Sequence, residues 1–330
     1  MSTIASPTEL NRFPFGQVAK WLSEGMVIPF LGAGASRIGA EEPLLPDGRG
    51  LAEELIEAMG NAFPINSTRE LAKVAQYFQD NVFGRPALYD HLHQRFEKEQ
   101  RNNPPGLVAT ILARMPRERP LFIVTTNYDS YVERAFRRAE RPLCIITQNM
   151  RDSDKGVSVI NLILPDGSQT QEDSRDFDWK DEERFDPDCA YLYKMHGSAH
   201  RPSPPQPDDV IITEDDYVDF IVNLGGTLSP YFPPPSLTLA FKKRPFLFLG
   251  YSLYDWNFRA FLRILTLKNA ITQQNRSIAA PRNERRHWAV RLNPDEAERE
   301  LWERRNVNVY AGDLREFCEH LTASWETEGR

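Results

Sequence analysis

The chain has 330 residues, of which 41% are hydrophobic and 26% charged, and its formal net charge is −7. That size and balance suit one large globular domain or two unequal ones, and the acidic excess argues against a broad nucleic-acid footprint. Its three cysteines (Cys144, Cys189, Cys318) are far apart, which excludes a cysteine zinc ribbon and gives no disulfide framework, and no run approaches the ~18–20 apolar residues of a membrane span.

In chain order, residues 1–14 read as a loose N-terminal arm that meets Pro7 and Pro14 and carries no basic-then-apolar leader, so a cytoplasmic protein is expected. Residues 15–330 read as one domain. Phe15–Glu24 is an amphipathic helix, and Met26–Leu31 is a short buried strand running into Gly32-Ala33-Gly34-Ala35-Ser36. A Gly/Pro-rich loop at 37–50 leads to a helical block at about 51–114. In it, Ser67-x-x-Glu70 has the form of a capping box, and Leu71, Val74, Ala75 and Phe78 have helical spacing. The block is expected to form a small helical insertion or lid over the glycine loop, or simply to cover the sheet.

Leu121–Thr126 is an apolar and β-branched strand, as burial on both faces requires. Asn127-Tyr128-Asp129 follows, then Ser130-x-x-Glu133 as a second capping box opening a helix. Leu143–Gln148 is a third strand. Residues 149–190 are acidic and largely aperiodic, so they read as a surface excursion with one possible strand at Val157–Leu164. Tyr191–Met195 is a strand ending at His196-Gly197, and Phe246–Leu249 is a strand ending at Gly250-Tyr251-Ser252. Asp255 is expected to cap a helix at Trp256–Lys268. Two strands at His287–Leu292 and Val307–Tyr310 and a last helix close the chain.

Alternating strands and helices predict an α/β fold: a Rossmann-like, mainly parallel sheet with helices on both faces. Ligands of such sheets sit at the carboxyl ends of the strands. Four strand ends here carry unusual chemistry: the glycine loop, Thr125 to Asp129, His196-Gly197 and Gly250 to Ser252. Gly32 and Gly34 would let a phosphate approach the backbone, although a tight strand–helix turn with no ligand has the same residues. The loop is not the usual dinucleotide fingerprint, because Arg37 stands where a third glycine belongs. Asn127 or Asp129 alone reads as a helix cap, and His196 alone as a satisfied polar side chain. Four such ends in one sheet point to a site. His91, His93, His200 and His320 have no metal-site spacing, and the basic stretch Arg282–His287 reads as a solvated loop.

On these residues the chain resembles the sirtuin family, and more closely its bacterial sirtuin-like branch, which includes NAD-consuming antiphage proteins. Gly32, Ala33, Gly34 and Ser36 match the family's G-A-G-x-S loop. Thr125, Asn127 and Asp129 match T-Q-N-x-D, with Thr126 in place of Gln. His196-Gly197 matches the catalytic H-G, and Gly250, Ser252 and Leu253 match the late G-x-S turn. Pro46-Asp47-Gly48-Arg49 is similar to a P-D-F-R stretch. The resemblance implies NAD+ as the substrate, with Asn127, His196 and Asp129 catalytic. It implies that Gly32, Ala33, Gly34, Ser36, Thr125, Gly250 and Ser252 bind NAD, with Asn293 and Asp313 at its adenosine end. It further implies nicotinamide release, a homo-oligomer, and a HerA-type ATPase or Argonaute partner. Sirtuin deacylases usually carry a four-cysteine zinc module between the histidine and the late G-x-S turn. This chain has no cysteine there, so no zinc is expected.

The leading reading is an NAD+ glycohydrolase that depletes NAD in antiphage defence. An NAD-dependent protein deacylase or ADP-ribosyltransferase is the first alternative. A non-catalytic NAD or ADP-ribose sensor is the second.

Overall fold

A computed structural model describes residues 9–39, 45–64, 66–149, 158–178, 188–200, 209–224, 233–252, 259–262 and 286–328. Its frame is a nine-stranded sheet among the described residues. The strands are β1 (Ile28–Leu31), β2 (Phe122–Thr125), β3 (Leu143–Asn149), β4 (Val159–Ile163), β5 (Gln169–Asp173), β6 (Ala190–Lys194), β7 (Phe246–Leu249), β8 (His287–Arg291) and β9 (Val307–Ala311). Their spatial order is β5-β4-β3-β6-β2-β1-β7-β8-β9. Every pairing is parallel except β3–β4 and β4–β5, which are antiparallel. The expected mainly parallel α/β sheet is therefore present.

The helices are α1 (Phe15–Ser23), α2 (Ala33–Arg37), α3 (Gly48–Met59), α4 (Leu71–Tyr77), α5 (Gly84–Asn102), α6 (Leu107–Arg114), α7 (Tyr131–Arg138), α8 (Glu214–Leu224), α9 (Pro235–Lys243), α10 (Glu296–Glu303) and α11 (Leu314–Glu328). The central strands are short and wholly buried because helices cover both faces. Strand alternation divides the core. Phe30, Val124, Tyr193 and Phe248 face one layer, with Phe220 of α8 and Phe241 of α9. Leu31, Ile123, Leu192 and Leu249 face the other, with residues of α1, α6, α7 and α11. Full burial of each such side chain contributes ~1.5–3 kcal/mol before the entropy of ordering is counted.

Strand β1, inside the sheet, is hydrogen-bonded to β2 on one side and β7 on the other. The chain leaves β1 toward β2 and leaves β7 toward β8, in opposite directions across the sheet, so the carboxyl ends of β1 and β7 flank a topological switch point.

Four expectations are corrected. The 149–190 excursion holds more sheet than expected: β4 falls on the strand expected at Val157–Leu164, and β5 joins it to extend the β3 edge as an antiparallel hairpin around Gly167, whose φ of +85° suits glycine. The polar sequence of β5, Gln169–Asp173, concealed a strand lying at the sheet edge. The Ser67 capping box does not form: α4 starts at Leu71, and the Thr68 hydroxyl accepts the Glu70 N–H at 3.2 Å. The Ser130 box does not form either. Ser130 is the N-cap of α7 without a side-chain capping bond, and Asp129 Oδ1 accepts the Tyr131 N–H at 2.9 Å instead. Finally, the arm is docked from residue 9 onward. Leu10 and Phe13 are buried, and Glu9 pairs with Arg299 at 2.6 Å. The Asp255-capped helix and the basic stretch before Arg286 lie outside the described residues, apart from 259–262.

The helical block, α3 to α5, forms a third core of its own. That core includes Tyr128, Tyr131, Ala199, Val210 and Ile212. The block thus braces the loops after β2 and β6. Tyr89 of α5 donates to the Ser198 carbonyl at 3.4 Å, and His93 Nδ1 meets the Ala199 carbonyl at 2.9 Å. Arg85 pairs with Asp216 at 2.8 Å, joining the block to α8.

Candidate active site

Two strand ends meet through their backbones. Gly32 N–H donates to the Leu249 carbonyl at 3.1 Å, and Gly34 N–H donates to the Gly250 carbonyl at 2.9 Å. The contact is too close for side chains. A Cβ on Gly250 would lie 2.0 Å from the Ala35 nitrogen, and φ at Gly250 is +63°. A Cβ on Gly32 would lie 2.6 Å from the Gly250 oxygen. The glycines that sequence reading assigned to a phosphate therefore serve first to interlock the ends of β1 and β7. The Gly34 N–H is already committed, and α2 spans only five residues. Ala33 opens α2, and Ser252 lies exposed beyond the interlock.

The β2 end works through side chains. Thr125 is buried, and its hydroxyl donates to the Leu31 carbonyl at 3.1 Å while accepting the Asn127 N–H at 3.0 Å. Asn127 Nδ2 donates to the Gly32 carbonyl and to Ser36 Oγ, both at 2.9 Å. A carbonyl can only accept, so the amide group facing Gly32 must be the NH2. Asn127 Oδ1 is left without a protein partner among the described residues. Ser36 Oγ in turn donates to Asp129 Oδ2 at 2.7 Å. Polarity thus runs from Asn127 through Ser36 to Asp129.

Asp129 is buried. Burial raises its pKa above the ordinary carboxylate range. The Lys194 charge, the Tyr131 N–H and the Ser36 hydroxyl oppose that rise. Lys194, the last residue of β6, is 1% exposed. Its Nζ donates to the Asp129 carbonyl oxygen and, at 2.8 Å, to Glu133 Oε1. Sequence reading missed this lysine and took Glu133 for a capping residue. The signal was a cation inside an otherwise apolar strand, which has to find partners when buried.

Ser36, Thr125, Asn127, Asp129 and Glu133 line a small cavity, with Leu31, Ala109, Tyr131 and Val132 as its apolar wall. His196 stands at the next strand end. The β2–β6 register pairs Thr125 with Lys194, two residues before each of Asn127 and His196. Its ring is buried edge-on against Tyr217 (5.6 Å) and Phe220 (5.8 Å) of α8. Gly197, at φ +74°, turns the chain so closely under Asp209 that a Cβ would lie 2.2 Å from its carbonyl oxygen. Asn293 and Asp313 are exposed and line no part of the cavity; Asp313 accepts the Arg315 N–H at 2.7 Å. Asp47, in the P-D-G-R stretch, caps α3 through the Gly50 N–H and pairs with Arg37.

A family model for the SIR2-like domain matches residues 121–310, more than half of the chain. The protein belongs to the SIR2-like family. SIR2-like domains use NAD+, so the activity expected of this chain is NAD-related. The matched segment holds Asn127, Asp129, His196, Gly250, Ser252 and Asn293, while the glycine loop and Asp313 lie outside it. No curated protein matches the chain. In this SIR2-like protein all three cysteines are buried and free. Among the described residues no group of three or more His, Cys, Asp or Glu side chains is placed to hold a metal. No described helix is long and apolar enough to cross a membrane.

Proposed function

We propose that this SIR2-like protein cleaves the nicotinamide–ribose bond of NAD+ with water, giving nicotinamide, ADP-ribose and a proton. The observation that carries the reading is Asn127. Its NH2 is held by Gly32 and Ser36, so its Oδ1 remains to orient a water or a ribose hydroxyl beside the cavity. As the C–N bond breaks, positive charge grows on the anomeric carbon, as in glycoside hydrolysis. A correctly placed water oxygen then completes the new bond. Asp129 acts through Ser36, because both of its oxygens already accept protein hydrogen bonds. It is a positioning residue whose carboxylate also lends negative charge to the cavity. His196 takes the proton from the water or a ribose hydroxyl. Gly250 and Ser252 line the path of the ribose, and Asn293 and Asp313 meet the adenosine end.

The resemblance to the NAD-consuming bacterial branch supports a role in depleting NAD during antiphage defence. It supports control by a homo-oligomer or by a HerA-type ATPase or Argonaute partner. The three buried, separate cysteines fit a hydrolase without a zinc module better than a deacylase.

The test is nicotinamide release from NAD+ by the purified protein, beside Asn127→Ala and His196→Ala, with and without an acetyl-lysine peptide. Release that needs both residues and no peptide is the expected result. Release only with peptide would make the protein a deacylase. Stoichiometric NAD binding with no release, alone or with a co-encoded partner, would make it a sensor.

A further inference from the structure

The Asn127–Ser36–Asp129 chain has a direction, and Lys194 stands at its far end. A hydroxyl donates one hydrogen. Ser36 Oγ accepts from Asn127 on a lone pair, and its one hydrogen points away from the Asn127 NH2 because Asp129 Oδ2 accepts it. A protonated Asp129 would itself donate, and the order along the chain could reverse. The Ser36 hydrogen would then be free to turn toward the Asn127 NH2 and weaken that contact, leaving the Gly32 carbonyl to hold the amide without Ser36. The Lys194 ammonium is the cation built into this point, donating to the backbone carbonyl of the same aspartate and to Glu133. Glu133, whose side chain is 10% exposed, competes for that charge.

We propose that Lys194 is a positioning residue of the NAD site: its buried charge keeps Asp129 an acceptor, which fixes Ser36 and aims Asn127 Oδ1. This rests on the hydrolase reading for its consequence in turnover, but its effect on Asp129 does not depend on turnover. Burial pushes Asp129 toward its protonated form and Glu133 pushes the same way, while Lys194 opposes both. The charged and titratable groups facing this point are Asp129 itself, Glu133 and Arg134 on α7, and Lys194 on β6. His200, after β6, feels both Glu133 and Lys194, with Glu97 and His93 of α5 beyond it. The apolar wall from α6 adds no charge; Ala109 is its residue at the cavity.

The experiment compares the full chain with Lys194→Met, Lys194→Arg and Glu133→Gln. Two quantities are read across pH: kcat and KM for nicotinamide release, and the titration of the Asp129 carboxyl carbon by NMR. Lys194→Met is expected to lower kcat at neutral pH at least ~10-fold with KM changed less than ~3-fold, and to recover as pH rises. Its Asp129 titration moves to higher pH. Lys194→Arg keeps the charge and restores most of the loss. Glu133→Gln, near-isosteric, shifts both the acid limb of kcat and the Asp129 titration to lower pH. This opposite displacement keeps the test decisive if Lys194→Met does not fold. A Glu133→Gln protein with an unmoved or upward-moved Asp129 titration would overturn the proposal. So would a folded Lys194→Met protein with wild-type pH behaviour. If the wild-type chain releases no nicotinamide, the hydrolase reading fails, and the carboxyl titrations still decide the role of Lys194.

Discussion

The ends of β1 and β7 hold each other by backbone, whereas the ends of β2 and β6 hold their neighbours by side chains. At the first pair, glycines remove atoms so that two turns can touch. At the second, Thr125, Asn127, Asp129 and Lys194 add polar atoms that satisfy one another below a cavity. All four ends look alike as motifs, yet one pair is interlocked through its backbone and the other supplies the polar side chains at and below the cavity. Substitutions should therefore separate the two pairs, with stability responding at one and turnover at the other.

The largest effect on folding is expected at Gly250→Ala, where the new Cβ would meet the Ala35 nitrogen at 2.0 Å in a left-handed backbone. A loss of at least ~3 kcal/mol, or no folded protein, is expected by chemical denaturation. Survival with an unchanged midpoint would show that the two ends do not depend on close approach. Asn127→Ala should do the reverse. Losing two hydrogen bonds costs about 1–2 kcal/mol of stability, while nicotinamide release falls ~100-fold or more. Equal damage to both would erase the contrast between the two pairs of ends.

A pH scan sharpens the comparison from a third place. His287 Nδ1 accepts the Phe246 N–H at 2.9 Å, and its ring stacks on Phe246 at 5.4 Å. Burial pushes its pKa down to about 4. Between the ordinary value near ~6.5 and that value, the unfolded chain gains a proton that the folded one refuses. The contribution is thus fully present above pH ~6.5 and is lost as pH falls, on the order of 2–3 kcal/mol in all. His287→Phe should start less stable yet show a flatter melting curve against pH over that window. A slope equal to wild type would remove His287 from the account. The smallest difference is between two helix starts. Asp47→Ala removes a formed cap and should cost about 1 kcal/mol, whereas Ser67→Ala should cost under ~0.5 kcal/mol in thermal unfolding.

The central strands were legible because burial on both faces forces unbroken apolar runs such as Phe246-Leu-Phe-Leu249, and a glycine ends two of them at once. Asn127 was legible as a candidate because it follows such a strand directly, and it does line the cavity. Lys194 was harder, since its partners come from a turn and a helix 61–65 residues earlier. The Ser67 and Ser130 boxes failed for a local reason: a neighbour, Thr68 or Asp129, offered its oxygen to the nearby backbone N–H instead. The helical block showed its periodicity but not its docking. Whether it covered the glycine loop or braced Tyr128 and Ala199 depends on contacts that only the assembled fold defines.

The two margins of the sheet bear on how the molecule could meet a copy of itself. One margin is β5, whose Gln169, Gln171, Glu172 and Asp173 carry amides and carboxylates that prefer water to another strand. The other is β9, where Glu9 donates its N–H to the Ala311 carbonyl and accepts the Ala311 N–H on its carboxylate. One margin is thus made unattractive by charge, and the other is occupied at its carboxyl end by the chain's own beginning. Growth of the sheet from copy to copy is therefore discouraged at both margins.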